Sequence, residues 1–250
     1  MRTYRFVRFL GDRVGEASRD VATALNDART RDERLTSGDR DPHERVRREL
    51  PRSIAVHVDG TEKRLAEFRA KIHAPEGQPA NSRDEGGDLG VVVHASLPDF
   101  EQITAILAKT VDGRALTDPE YSLAEVTEST ALEQLLALTA DAFVFVVGDE
   151  RVHVVPAQGV ATLTDPARRK TPHRALYSRQ LGRFFEEFAE GFVGDGGLAP
   201  DLSTVGSPDE TNRRVLSWAE SHDIERVLTI QVSTRTEETE ATLRDFVGGG

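Results

Sequence analysis

Residues 141–160 constrain the fold most, because they form the most apolar stretch of the chain. Residues 143–147 are an unbroken run of β-branched and aromatic side chains, which is typical of a strand buried on both faces. Residues 148–149 break this run, and residues 152–155 resume it. A short polar break between two such runs predicts a β-hairpin. We therefore expect a central hairpin near residues 141–160.

Strands and helices are expected to alternate along the rest of the chain. Apolar alternation and helical spacing predict strands at 4–10, 53–58, 89–97 and 227–232, and helices at 16–29, 42–51, 98–107, 123–139, 174–192 and 209–221. Residues 62–73 fit either a helix or a strand, and we favour the helix. The order predicts an α/β protein, in which helices cover a mixed β-sheet in two or three layers.

The domain organisation is predicted from polar segments. Residues 75–88 are rich in Pro, Gly and charged residues, which indicates a flexible internal loop. We expect one mixed α/β domain over residues 1–233, since neither half alone has enough strands to cover its helices. Two domains divided at the loop are the alternative. Residues 234–250 are acidic and end in three glycines, so this tail is expected to fray.

The chain has a negative net charge, and most of its basic residues are arginine. There are 43 Asp and Glu against 32 Lys and Arg, giving a net charge of −11, and four of the 32 are lysine. Acidic surfaces poor in lysine suit a high-salt cytoplasm, where salt screens carboxylate repulsion. A GC-rich genome, which favours arginine codons, is the alternative explanation. The negative charge also argues against general nucleic-acid binding.

The absence of cysteine limits the kinds of site that this protein can contain. It excludes disulfides, thiolate metal sites and cysteine nucleophiles. No apolar run reaches the roughly 18 residues that a membrane-spanning helix needs. We therefore expect a soluble, cytoplasmic protein that does not enter a membrane.

The segment FLGDRVGEASR carries the first candidate site. A strand, a turn with two glycines and a helix start would present backbone N–H groups to an anion, which makes Gly11, Asp12 and Gly15 anion-binding candidates. The segment also resembles the opening of some metallophosphoesterases, and this resemblance implies that Asp12 binds a metal. The chain departs from that family, since no Asn-His-Asp motif follows.

Three histidines in predicted strands form the second candidate site. His57, His94 and His153, with Asp59 two residues beyond His57, could ligate a divalent metal if their strands were neighbours. The alternative is that each histidine is a half-buried strand residue that bonds to backbone or water.

The third candidate is a basic run at the approach to the aromatic helix, which is the predicted helix at 174–192 with Phe184, Phe185, Phe188 and Phe192 on one face. It could contact a phosphate or an acidic partner, although a solvated approach to the helix is the alternative. Its members are Arg168, Arg169, Lys170 and Arg174.

The order of elements around the central hairpin resembles the core of restriction-endonuclease-like nucleases. Asp141 precedes the first strand of the hairpin, and in that family the second strand carries Glu-x-Lys. Residues 155–158 read Val-Pro-Ala-Gln instead. The resemblance therefore implies a nuclease-like fold without its catalytic residues.

The absence of a P-loop, a dinucleotide fingerprint, a G-x-S-x-G elbow and an H-E-x-x-H helix favours a non-catalytic protein. We expect a regulatory or interaction module that binds a protein partner and holds no cofactor. The alternative is a metal-dependent hydrolase, similar to phosphoesterases, that uses the strand histidines and the Asp12 loop.

Overall fold

A computed structural model describes residues 3–32, 42–60, 62–63, 66–74, 87–97, 100–112, 129–163, 178–202 and 207–233. The helices in these ranges are α1 (Thr3–Asp32), α2 (Pro42–Val58), α3 (Ser129–Leu138), α4 (Ala157–Leu163), α5 (Leu181–Ala189) and α6 (Pro208–Ser221). The strands are β1 (Glu62–Lys63), β2 (Ala66–His73), β3 (Gly87–Leu97), β4 (Phe100–Asp112), β5 (Ala142–Val147), β6 (Val152–Pro156), β7 (Arg179–Gln180) and β8 (Ile224–Ser233).

All of these strands belong to one mixed sheet in the order β1-β2-β8-β3-β4-β5-β6-β7. β3 pairs parallel with β8 and β4 pairs parallel with β5, while the other neighbours are antiparallel. The predicted α/β class is therefore confirmed. β5 and β6 form the predicted central hairpin, in which Phe145 lies opposite Val154 and the Gly148 N–H donates to the Arg151 carbonyl at 3.0 Å.

Helices cover both faces of the sheet, so the described fold has three layers. The first face packs against α1, α2 and α5, and the second against α3, α4 and α6. Alternation along β4 shows the division, since Ile106 and Ala108 belong to the first core, whereas Leu107 and Val111 belong to the second. No helix in the described ranges is both long and apolar enough to cross a membrane.

The predicted strand at residues 4–10 is wrong, because these residues open the 30-residue helix α1. Val7, Leu10, Val14, Ala17 and Val21 are all buried and recur every three or four residues, as one helix face requires. A short window over residues 4–10 hides this period. Gly11 and Gly15, which the sequence predicts to form a turn, lie inside the helix.

The predicted strand at residues 53–58 is also wrong, since it is the second half of α2. Val46, Leu50, Ile54 and Val58 are buried at a spacing of four residues. Pro51 lies inside the helix, where sequence reasoning placed its end. Proline removes one backbone hydrogen bond, and here the apolar face continues through it and is buried against the sheet.

Two predicted helices are strands. Residues 66–73 form β2, which pairs with β8, so the preference for a helix at 62–73 is wrong. Residues 100–112 form β4, which makes a tight hairpin with β3 through the pair Leu97 and Phe100. The apolar spacing of residues 100–107 fits a helix, but a strand buried on both faces also accepts apolar residues at every position.

Other predictions are confirmed within the described residues. Residues 89–97 and 227–232 lie in β3 and β8, and residues 209–221 lie in α6, where the Ser207 hydroxyl accepts from the Glu210 N–H at 3.2 Å. Residues 181–189 of the aromatic helix are helical, whereas Phe192 lies beyond it and is 77% exposed. Residues 75–86, 164–177 and 234–250 lie outside the described residues, and the single domain over 1–233 stays a prediction.

Candidate functional site

The site is built where α1 crosses α5 through three glycines. A Cβ atom on Gly182 of α5 would lie 2.5 Å from the carbonyl oxygen of Gly11 and 3.1 Å from the Cα atom of Gly15. The first distance is shorter than real Cβ atoms show and the second is tighter than most of their contacts, so the close approach of the two helix backbones depends on glycine at these positions. Gly11 and Gly15 are therefore contact residues between helices, and the predicted glycine turn is wrong.

The two helices run antiparallel at this crossing. A Cβ on Gly11 would meet both Glu186 and the Gly182 backbone, whereas a Cβ on Gly15 would meet only Gly182. As α1 advances from Gly11 to Gly15, α5 therefore runs back from Glu186 towards its N-terminus. In this register Asp12 of α1 lies near Glu186 of α5. Arg19, further along α1, lies near the start of α5.

An open cleft of about 260 Å³ lies beside the crossing. Residues of α1, the β5–β6 turn, β7 and α5 contribute to its walls. The lining consists of Gly11, Asp12, Gly15, Ser18, Arg19, Arg151, Gln180, Leu181, Gly182, Arg183 and Glu186. Gly11, Asp12 and Gly15, the anion-binding candidates of the sequence, thus come together in one cleft although their predicted local structure is wrong.

The basic end of the cleft contains Arg19, Arg151 and the first turn of α5. The Ser18 hydroxyl accepts from the Val152 N–H at 2.7 Å, which holds the turn carrying Arg151 against α1 beside Arg19. The N-cap of α5, Gln180, makes no side-chain capping bond. The partial positive charge of the helix N-terminus is therefore not offset by a side chain of its N-cap residue.

The acidic end of the cleft contains Asp12 and Glu186. Arg183, one turn from Glu186 on α5, pairs with Glu186 and lies 3.6 Å from Glu187, which in turn bonds Arg179 at 2.8 Å. The hydrogen bond to Glu186, and then the charge of Glu186, raise the pKa of Arg183. Arg183 is therefore a permanent cation between the two ends, and these glutamates hold it.

His57 and Asp59 have structural contacts away from the cleft. His57 lies in α2 and not in a strand; its Nδ1 is 2.8 Å from the Ser53 carbonyl oxygen and its Nε2 is 3.0 Å from the Asp20 carboxylate. This places it between α1 and α2. Asp59 Oδ1 accepts from the Ala70 N–H at 2.9 Å, which fastens the turn after α2 to β2.

His94 and His153 do lie in strands, as predicted, but the strands are not neighbours. β3 and β6 are three positions apart in the sheet, which corresponds to about 14 Å. His94 Nε2 lies 3.7 Å from Glu101, and burial together with Arg151 lowers the pKa of His153. Within the described residues, no group of three or more His, Asp or Glu side chains is placed to hold a metal.

Two sets of candidates remain. Arg168, Arg169, Lys170 and Arg174 lie outside the described residues. Asp141, which carried the resemblance to nucleases, accepts from the Gly194 N–H at 3.3 Å and so holds the loop after α5.

Sequence reasoning missed the charged walls of the cleft. Arg19, Arg151, Arg183 and Glu186 come from three separate segments, so no local motif unites them. One signal was present, because a glycine pair four residues apart within a helical apolar period indicates close packing of another helix. A prediction of one continuous helix over residues 3–32 would have revealed this glycine pair on a helix face.

No protein-family model matches the chain, and neither a curated protein nor a solved structure does. The chemistry of the cleft is thus that of its own residues. Guanidinium groups and backbone N–H groups bind anions. The described lining contains no histidine, and its one hydroxyl, on Ser18, accepts a hydrogen bond from the Val152 N–H.

Proposed function

We propose that the protein is a non-catalytic regulatory module that binds a small anionic ligand in the cleft between α1 and α5. The observation that carries this proposal is the meeting of Arg19, Arg151 and the first turn of α5 at one end of the cleft. Arginine presents a planar set of donors that matches carboxylate and phosphate oxygens. The N-terminus of a helix favours the same ligands, so both features select an anion.

Regulation is supported by the elements that the cleft joins. An anion held by Arg19 and Arg151 bridges α1 to the β5–β6 turn, in addition to the bond between Ser18 and Val152. A ligand that binds one arrangement of these elements more tightly shifts the protein towards that arrangement. A protein partner that contacts this side of the molecule then responds to the ligand.

Calorimetric titration with inorganic phosphate and with pyrophosphate tests the proposal. At constant ionic strength we expect one binding site, and Arg19→Gln and Arg151→Gln are each expected to weaken the affinity about threefold to tenfold, as loss of one typical hydrogen bond does. The matched control is Arg213→Gln, which removes the same charge from an exposed position on α6, across the sheet.

Three results would contradict the proposal. Absence of binding in the wild-type protein removes its basis, and equal weakening by Arg213→Gln shows attraction to the overall charge instead of a site. Hydrolysis of a phosphate ester upon addition of Zn²⁺ or Mn²⁺ would restore the metal-dependent hydrolase as the better function. A separate melting experiment tests the predicted adaptation to salt, since stability is expected to rise from tenths molar to molar KCl as salt screens the net charge of −11.

A further inference from the structure

The charges of the cleft are separated along its length. Asp12 and Arg19 lie seven residues apart on α1, which corresponds to about 10 Å along the helix axis. Because α5 runs antiparallel, Glu186 accompanies Asp12, whereas the first turn of α5 accompanies Arg19. One end of the cleft is therefore negative and the other positive.

A uniformly anionic ligand fits only half of this cleft. If it filled the whole length, its negative groups would contact the carboxylates of Asp12 and Glu186, and like charges at close range disfavour binding. Arg183 is held by Glu186 and Glu187, so it offsets part of the charge of the glutamates, while Asp12 is exposed to the cleft and to solvent. The acidic end is thus suited to a donor or a cation.

The size of the cleft limits the ligand to a small molecule. A volume of about 260 Å³ lies near the lower end of the roughly 300–1,000 Å³ of small-molecule sites. This is large enough for two charged groups joined by a short chain and too small to enclose a folded partner.

We propose that the ligand is a small zwitterion, with a phosphate or carboxylate at the Arg19 end and a protonated amine at the Asp12 end. The inference rests on the proposed function, since it assigns the second half of the same site. Asp12 is the specificity residue in this assignment, because it distinguishes an aminated anion from a plain one. Arg19 and Arg151 bind the anionic group that both ligands share.

Matched pairs of synthetic compounds test the inference. Each pair consists of an alkyl phosphate and the ω-aminoalkyl phosphate of the same length, with chains of about two to six methylenes to span the axial distance. At the best length we expect the aminated member to bind about threefold to fivefold more tightly, as an accessible ion pair allows. A parallel series of ω-amino carboxylates and plain carboxylates distinguishes the two kinds of anion.

Three variants separate the two ends of the cleft. Asp12→Asn is expected to bring the ratio of affinities within a pair to about one while alkyl phosphate binding is retained. Arg19→Gln is expected to weaken both members and leave the ratio intact. Glu220→Gln, on the exposed face of α6, is the control and is expected to leave both quantities unchanged. A melting curve of each variant verifies that it is folded.

The possible failures are distinguishable. If the two members of every pair bind equally to the wild-type protein, and Arg19→Gln weakens both, the zwitterionic ligand is excluded while the anion site stands. If the aminated member binds more tightly but Asp12→Asn keeps the ratio, the assignment of Asp12 is overturned. If no compound binds, both the inference and the proposed function fail.

Discussion

Each face of the sheet has a glycine that a neighbouring element contacts closely: Gly90 on the second face and Gly182 on the first. The contact at Gly90 is filled, whereas the contact at Gly182 leaves a cleft beside it. On the second face, a Cβ on Gly90 of β3 would lie 2.7 Å from the Trp218 ring of α6, so the indole occupies the space that the glycine leaves. The Trp218 Nε1–H donates to the Leu198 carbonyl at 2.7 Å, which closes this region. On the first face, Gly182 meets the backbone of α1 instead, and the cleft opens beside the contact.

The difference shows what determines whether a glycine contact is closed or open. An aromatic ring that packs on a glycine fills the space that the missing side chain leaves, so the contact becomes part of the hydrophobic core. Two helix backbones that touch at glycines have no side chain at the contact to fill the space alongside it. The flanking residues of α1 and α5 are charged and cannot be buried without partners, so they form the wall of a solvent-accessible cleft.

The largest effect is expected from the aromatic layer under α5, on the first face. Phe184 is fully buried, and its ring centroid lies 4.8 Å from that of Phe143 and 6.1 Å from that of Phe145. Phe184→Ala is expected to lower the free energy of unfolding by about 3–5 kcal/mol, measured by urea denaturation. Phe192→Ala, at an exposed position, is the control. A cost below about 1 kcal/mol at Phe184 would mean that α5 is not part of the core.

The glycine crossing is expected to be the next most sensitive feature. Gly182→Ala places a methyl group against the Gly11 carbonyl oxygen, and a backbone atom cannot rotate away as a side chain does. We expect a loss of about 1–3 kcal/mol in stability, as for overpacking, together with weaker phosphate binding. Gly197→Ala, at a glycine that does not contact α1, is the comparison. If Gly182→Ala leaves stability and phosphate affinity unchanged, the crossing is looser than described.

A smaller effect is expected at the closed contact on the second face. Trp218→Phe keeps a ring over Gly90 but removes the donor to the Leu198 carbonyl, which is expected to cost about 1–2 kcal/mol. Phosphate affinity is expected to stay the same, because the cleft is on the other face. A change in phosphate affinity would contradict the separation of the two faces.

A titration of stability with pH also tests the second face. His73 is buried; its Nδ1 lies 2.7 Å from Asn212 Oδ1 and its Nε2 lies 2.9 Å from the Thr229 hydroxyl oxygen. Burial is the main cause that lowers its pKa, Asn212 opposes this change, and Lys71 adds to it. The unfolded chain then binds more protons, so stability is expected to fall as the pH drops below about 6.5 and on through the lower folded pKa.

The measurement for this prediction is urea denaturation between neutral and mildly acidic pH. His73→Gln is expected to reduce the loss of stability over that range. Because the pKa of His153 is lowered as well, adding His153→Gln to the first substitution is expected to reduce the loss further. An unchanged pH dependence in His73→Gln would contradict the role of this network.

The sequence predicted the parts of the fold whose signal is local. The central hairpin is a run of β-branched residues on each side of a polar break, and α6 begins with Ser-Pro and carries one buried face, so each could be identified from its own segment. α1 was missed because Gly11 and Gly15 resemble a turn locally. Only the position of Gly182, 167 residues beyond Gly15, explains why a helix tolerates them.

The candidate site was predicted only in part, because some of its residues are brought together by contacts between distant segments. Gly11, Asp12 and Gly15 were selected as anion-binding residues and do line the cleft, but for a different structural reason. The arginines that give the cleft its positive end, Arg19 and Arg151, come from α1 and the hairpin turn. The antiparallel crossing and the bond between Ser18 and Val152 bring them together, and neither is visible in the sequence.

The most direct test of the central claim is a titration of backbone amide NMR signals with inorganic phosphate. If the basic end of the cleft binds the anion, the largest and saturable shifts are expected at the amides of Leu181, Gly182 and Arg183, with smaller ones at Arg19 and Arg151. These shifts are expected to disappear in the Arg19→Gln, Arg151→Gln double variant and to persist in Arg213→Gln. Signals of α5 that stay unmoved, while amides elsewhere in the chain shift with phosphate, would contradict the assignment of the site.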